Sequence, residues 1–83
     1  MSSNKPSYTM LLHKWAQNAG RLQDITWEES SRGQNPHVVW TVILKLADQP
    51  IGSGSGNRKK VAKDRAAHQA LAIMGIIQTG GPD

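Results

Sequence analysis

The feature that most restricts the possible folds is a series of alanines at helical spacing in the C-terminal half of the chain. One face of the expected helix carries five apolar residues: Ala62, Ala66, Ala70, Ile73 and Ile77. This spacing predicts an α-helix from about residue 57 to residue 77. Because alanine side chains are short, this face has to pack closely, and a β-sheet is the expected partner. Gly75 falls inside this helix and should weaken its end by about 1 kcal/mol relative to alanine.

A second helical pattern lies near the N-terminus. Ser7 is a good N-cap and Gly20 is typical of a helix end, so we expect a helix between them. Its inner face is predicted to carry Tyr8, Leu12, Trp15, Ala16 and Ala19. Met10, Lys14 and Gln17 form a separate stripe, which should leave Met10 exposed to solvent.

Between the two helices, apolar and polar residues alternate as in half-buried strands. The predicted strands are residues 22–29, 37–46 and 51–55, with a loop at 30–36 and a tight turn at 48–50. Trp15, Trp27 and Trp40 all lie on inward faces, where a place in the core is expected. The sequence therefore predicts an α+β fold of order α-β-β-β-α, with a three-stranded antiparallel sheet packed against two helices.

Composition excludes several kinds of chemistry. The chain of 83 residues has no cysteine, which removes disulfides, thiol nucleophiles and cysteine–zinc sites. His13, His37 and His68 are too scattered to indicate zinc, and His13 and His68 are expected to face solvent. The carboxylates form no spaced acid–base pair with a nucleophile. We therefore expect no enzyme activity, no metal and no cofactor.

The charge balance points to an anionic partner. The net charge is +4 and the pI is near 9.9, which favours nucleic acid, an acidic membrane surface or an acidic protein. No stretch approaches the roughly 18 apolar residues of a membrane span, and the first residues lack the apolar region of a signal peptide. An intracellular location, in cytoplasm or nucleus, is the expectation.

Half of the basic residues lie close together at the start of the second helix. They are Arg58, Lys59, Lys60, Lys63 and Arg65. A helix N-terminus attracts anions, and the glycines at positions 52, 54 and 56 would let the backbone approach a ligand closely. A solvated surface is the ordinary reading of such a run, but this placement favours a phosphate site. Neither a P-loop nor a dinucleotide fingerprint fits, because Gly56 is followed by Asn57 and Arg58.

These residues carry a family resemblance. The segment Gly54-Ser55-Gly56-Asn57-Arg58-Lys59-Lys60-Val61-Ala62-Lys63, followed by Ala66-Ala67 and Ala70-Leu71, resembles the signature G-x-G-x-x-K-K-x-A-K-x-x-A-A-x-x-A-L of double-stranded RNA-binding domains. The resemblance covers roughly residues 7–77, which we take as the domain, with residues 1–6 and 78–83 as terminal segments. It implies the same α-β-β-β-α fold and binding of A-form RNA by shape, with little sequence preference.

The resemblance also implies which residues meet the RNA. Phosphate contacts would come from Lys59, Lys60 and Lys63, with Arg58 as a fourth charge. The first helix would enter one minor groove with Met10, Lys14 and Gln17. Lys14 stands where glutamate is usual, and a lysine can only donate. The loop between the first two strands would enter a second minor groove with Pro36 and His37, which are adjacent here rather than spaced as in the family's G-P-x-H motif.

One alternative to RNA binding remains open. The same fold could serve protein interaction or homodimerisation through the exposed apolar residues Val39, Ile43, Ile76 and Ile77. Met10 and Leu11 could offer another protein contact. A membrane-binding helix is disfavoured, because the alanines opposite the lysines are too small to anchor it.

Overall fold

The predicted order of elements is confirmed. The computed structural model describes residues 7–34 and 36–77. Its elements are α1 (Tyr8–Asn18), a 3-10 turn (Leu22–Asp24), β1 (Ile25–Arg32), β2 (Val39–Leu46), β3 (Gln49–Gly56) and α2 (Lys59–Ile73). The strands form one antiparallel sheet in the order β1-β2-β3. The predicted terminal segments, residues 1–6 and 78–83, lie outside the described residues.

Helix α1 begins and ends where its capping residues predict. The Ser7 hydroxyl oxygen accepts a hydrogen bond from the backbone N–H of Met10 at 3.1 Å, which confirms Ser7 as the N-cap. Gly20 adopts a φ of 69°, and the N–H of Arg21 donates to the carbonyl of Ala16 at 2.8 Å. This closing pattern is a Schellman motif. Ala19 was expected on the inner face but is exposed, because it is the C-cap residue and lies past the last helical turn.

The hairpin between β2 and β3 differs from the prediction by one position. Its two turn residues are Ala47 and Asp48, with φ angles of 51° and 68°, and Leu46 pairs with Gln49. Positive φ at both positions is the type I′ geometry that matches strand twist. The turn predicted at residues 48–50 is therefore wrong, since Gln49 and Pro50 already belong to β3. Proline is tolerated there because β3 is an edge strand.

The other strand limits also shift. β1 starts at Ile25 because residues 22–24 form the 3-10 turn, and it runs on through the first residues of the predicted loop to Arg32. β2 begins at Val39 rather than at His37. Pairing between Arg32 and Val39 closes the ladder, so the connecting loop is shorter than predicted at its N-terminal side.

Helix α2 lies closely against β3 and β2, as its alanine face predicts. Among the described residues, the fully buried hydrophobic ones are Leu12, Ala16, Val42, Leu44, Ala62, Ala66, Ala67, Ala70 and Leu71. A Cβ on Gly54 would lie 2.5 Å from the carbonyl oxygen of Ala62, and a Cβ on Gly52 would overlap the carbonyl oxygen of Ala66. These glycines allow the strand backbone to approach α2. The prediction that they serve close approach of a ligand is therefore wrong for Gly52 and Gly54.

Helix α2 is shorter than predicted at its C-terminal end. The last helical residue is Ile73, and Gly75 follows with a φ of 76° while the N–H of Ile76 donates to the carbonyl of Leu71 at 2.9 Å. Gly75 therefore ends the helix through a Schellman motif and does not weaken its interior. Ile73 is 66% exposed rather than buried, because periodicity gives the face of a helix but not how far its partners extend.

Two side chains of α2 bond to the backbone of β3. Gln69 Oε1 accepts from the N–H of Ser53 at 2.7 Å, and Arg65 Nη1 donates to the carbonyl oxygen of Ser55 at 2.7 Å. Because β3 is an edge strand, these bonds occupy groups that could otherwise pair with another strand. Arg65, although part of the basic run, is thus engaged in holding α2 to the sheet.

The aromatic residues complete the core. Trp15, Trp27 and Trp40 are half-buried and pack against the buried cluster, as predicted. His13 is exposed, also as predicted. His68 was expected to face solvent but is half-buried, because the rings of His68 and Tyr8 meet edge to face with centroids 4.5 Å apart.

Candidate nucleic-acid interface

The start of α2 concentrates positive charge. Arg58 is the N-cap in an extended conformation, and Lys59 and Lys60 are the first two helical residues. Within the described residues, no side chain caps this end of the helix and its first turn contains no acidic residue. The free N–H groups and the dipole of a 15-residue helix therefore reinforce the cations in attracting an anion.

Two of the lysines rest on tryptophan rings. Lys59 Nζ lies 5.3 Å from the ring centroid of Trp40, and Lys63 Nζ lies 4.8 Å from that of Trp27. Each ammonium is within cation–π range of its ring, which restricts where a flexible side chain places its charge. Lys59 also pairs with Glu29, with 3.4 Å between Nζ and Oε1.

Lys60 lies beside the start of α1. Lys60 and Lys63 line a cleft between α2 and the start of α1, together with Ser7, Thr9, Val61, Asp64 and Arg65. Asp64 Oδ1 accepts from the backbone N–H of Thr9 at 3.0 Å and from its hydroxyl at 3.3 Å. Asp64 therefore fixes the first turn of α1 beside the basic cluster.

The outward stripe of α1 is exposed. Met10 is 63% exposed, as predicted, and Lys14 and Gln17 are exposed on the same side of the helix. With Leu11 and His13 they line one shallow depression. Leu11, by contrast, is half-buried and packs against the core, so it offers less free surface than the sequence suggested.

The loop between β1 and β2 presents Pro36 and His37, both exposed. The N–H of His37 donates to the carbonyl of Gln34 at 2.6 Å. Gly33 has a φ of 91°, and a Cβ there would overlap the carbonyl oxygen of His37, so this position requires glycine.

Comparison with known families gives one finding. The family model of the double-stranded RNA binding motif matches residues 8–74, from the first residue of α1 to the C-cap of α2. The chain belongs to this family. It is a double-stranded RNA-binding domain, and the matched motif is a binding module rather than a catalytic one. Comparison with curated proteins gives no match.

The predicted contact residues of this double-stranded RNA-binding domain lie in three groups. The hydrogen bonds from Thr9 to Asp64 place the start of α1 next to the lysines of α2. The β1–β2 loop leaves the sheet beyond Arg32 and Val39, at the end where Trp40 pairs with Gly56 just before α2. The loop and the lysines thus share one end of the sheet. The contacts that sequence analysis missed are those of Asp64, Glu29 and the two tryptophan rings.

The apolar residues considered for protein interaction are only partly exposed to solvent. Val39 is 49% exposed and Ile76 is 41% exposed. Ile43 was expected to be exposed but is half-buried. Ile77, which the helical spacing placed on the buried face, is half-buried and packs against the core, so it offers little free surface to a partner. Within residues 7–34 and 36–77, no helix is long and apolar enough to cross a membrane, and no group of three potential metal ligands comes together.

Proposed function

We propose that this domain holds A-form RNA at three places, with α2 on the backbone phosphates and with α1 and the β1–β2 loop in two successive minor grooves. The observation that carries the proposal is the uncapped start of α2 with its cations. Arg58, Lys59, Lys60 and Lys63 surround free N–H groups at the positive end of a helix dipole. Such a site suits phosphate oxygens and carries no base preference.

The stripe on α1 would supply the first minor-groove probe. The minor groove of A-form RNA is wide and shallow and displays 2′-hydroxyls and base edges. Met10 offers an exposed apolar contact, Lys14 can donate hydrogen bonds, and Gln17 can both donate and accept. This mixture favours contact with groove shape and hydroxyls over reading of a particular sequence.

The β1–β2 loop would supply the second probe. Pro36 and His37 are exposed, and the bond from His37 to Gln34 together with the constrained Gly33 restricts the loop backbone. A domain of this kind spans about 16 base pairs, with the major-groove phosphates between its two minor-groove contacts. Those phosphates would be contacted by the basic residues at the start of α2.

The phosphate contacts are tested by removing one charge at a time. Lys60→Ala is expected to weaken binding about tenfold for any duplex sequence, since a charge-assisted contact is worth roughly 1.5 kcal/mol. The slope of the logarithm of affinity against the logarithm of salt concentration should also become shallower by about one, as expected for the loss of one phosphate contact. Binding is measured by titration of two unrelated RNA duplexes at several salt concentrations.

Lys45→Ala is the matched control. Lys45 lies on the opposite face of the sheet and pairs with Glu28 at 2.6 Å, so the variant loses the same charge away from α2. Its affinity and salt slope should stay near those of the unaltered domain. Equal losses in the two variants, or a loss in Lys60→Ala confined to one of the two RNA sequences, would contradict the proposed contact.

A further inference from the structure

Lys59 differs from its neighbours in having an internal anionic partner. Its Nζ lies 3.4 Å from Glu29 Oε1, while the ring of Trp40 lies against the same ammonium. Among the described residues, no carboxylate lies within ion-pair distance of Lys60 or Lys63. Lys59 is therefore the one lysine of the three whose charge is already partly neutralised in the free domain.

Strand β1 directs its adjacent carboxylates to opposite faces. Glu29 pairs across the ladder with Val42, a buried residue beneath the helices, and points toward the start of α2. Glu28 pairs with Ile43 and bonds to Lys45 on the other face. The contact between Glu29 and Lys59 is thus set by the alternation of the strand, and Glu28 provides a neighbour of identical charge outside the site.

We propose that Glu29 is an affinity-limiting residue that competes with the RNA backbone for Lys59. This inference rests on the proposed function of the α2 lysines. The side chains of Glu29 and Lys59 are 32% and 50% exposed, so the pair is screened and contributes little to stability. A phosphate approaching Lys59 has to replace the carboxylate, and Trp40 keeps the ammonium in place while the partner changes.

Removing the competitor should strengthen binding. Glu29→Gln is expected to bind duplex RNA about two- to fivefold more tightly, because breaking an exposed ion pair costs up to about 1 kcal/mol. Glu29→Asp keeps the charge but retracts the carboxylate by one methylene, and it should give a smaller gain in the same direction. Glu28→Gln should change the affinity for RNA by less than Glu29→Gln does.

A double-mutant cycle separates competition from general repulsion. Competition requires Lys59, so Glu29→Gln should give no gain in a Lys59→Met background. If the carboxylate merely repelled RNA, the gain in that background would be as large as before or larger. That result, or equal gains in Glu28→Gln and Glu29→Gln, would overturn the inference.

The same titrations distinguish the inference from the function on which it rests. If Lys59→Met and Lys60→Ala weaken binding while Glu29→Gln and Glu29→Asp leave it unchanged, the phosphate site stands and competition by Glu29 is wrong. If neither lysine variant changes affinity or salt slope, the phosphate site itself is wrong. Urea unfolding of each variant checks that every titration is made on folded protein.

Discussion

Asp64, the acidic residue within the basic run, acts on the first helix. The N–H of Thr9 belongs to the first turn of α1, where backbone donors have no partner within the helix. Asp64 accepts from this donor at 3.0 Å, and Ser7 accepts from Met10 at 3.1 Å, so two of these donors are satisfied. The carboxylate also lies at the positive end of the α1 dipole. Asp64 therefore joins the two helices.

Replacing Asp64 tests this role. Asp64→Ala is expected to lower the free energy of unfolding by about 1–2 kcal/mol, the usual cost of losing a helix cap. Asp64→Asn should cost less, because its amide oxygen can still accept from Thr9. The measurement is urea unfolding, with Glu28→Gln as a surface control. If Asp64→Ala kept its stability and bound RNA more tightly, Asp64 would serve only to lower the net positive charge at the start of α2.

Among single residues, the sequence predicted those parts of the site that lie next to one another along the chain. The lysines form one motif, and their place at the helix start follows from local pattern alone. Asp64 and Thr9 are 55 positions apart, so no local pattern links them. The same holds for Glu29 and the tryptophans, whose contacts with the lysines depend on how β1 and β2 lie under α2.

The packing of α2 against β3 depends on glycine at alternate positions of the strand. A Cβ on Gly54 would lie 2.6 Å from the N atom of Ala66, and one on Gly56 would lie 2.8 Å from Val61 Cγ1. A helix with larger inner residues, or a strand without these glycines, could not approach so closely. The part of the family signature that precedes the lysines is therefore explained by packing between these two elements.

Gly54→Ala tests the close approach. The added methyl group meets backbone atoms that cannot move independently, so we expect the free energy of unfolding to fall by about 1–3 kcal/mol or more. Ser55→Ala is the matched control, since Ser55 is exposed and only its backbone carbonyl bonds to Arg65. Thermal or urea unfolding compares the two. Equal stability of both variants would mean that β3 and α2 are less tightly packed than described.

The elements were predicted better than their ends. Hydrophobic period predicted both helices and the first two strands, whereas the third strand was predicted on a glycine-rich segment without such a period. The turn at Ala47 and Asp48 was missed because type I′ turns usually contain glycine or asparagine, and here non-glycine residues adopt positive φ. The end of α2 was missed because Gly75 was taken as part of the helix rather than as the residue that closes it.

At the scale of the whole molecule, the basic residues at the start of α2 lie at the same end of the sheet as the β1–β2 loop. The start of α2 follows the end of β3 directly, the β1–β2 loop leaves the same end, and Asp64 holds the start of α1 nearby. The family and the fold could be predicted because the signature is contiguous and the period of both helices and of the first two strands is clear. How the three groups of candidate contact residues lie relative to one another could not be predicted, because it depends on the placement of segments that are distant along the chain.

Discrimination between RNA and DNA tests the central claim most directly. One sequence of about 20 base pairs, made as RNA and as DNA, is titrated at several salt concentrations. Contacts in two A-form minor grooves predict tight RNA binding with a steep salt slope and much weaker binding of DNA. Equal affinity for the two duplexes would contradict the account and reduce the lysines to a general phosphate-binding patch.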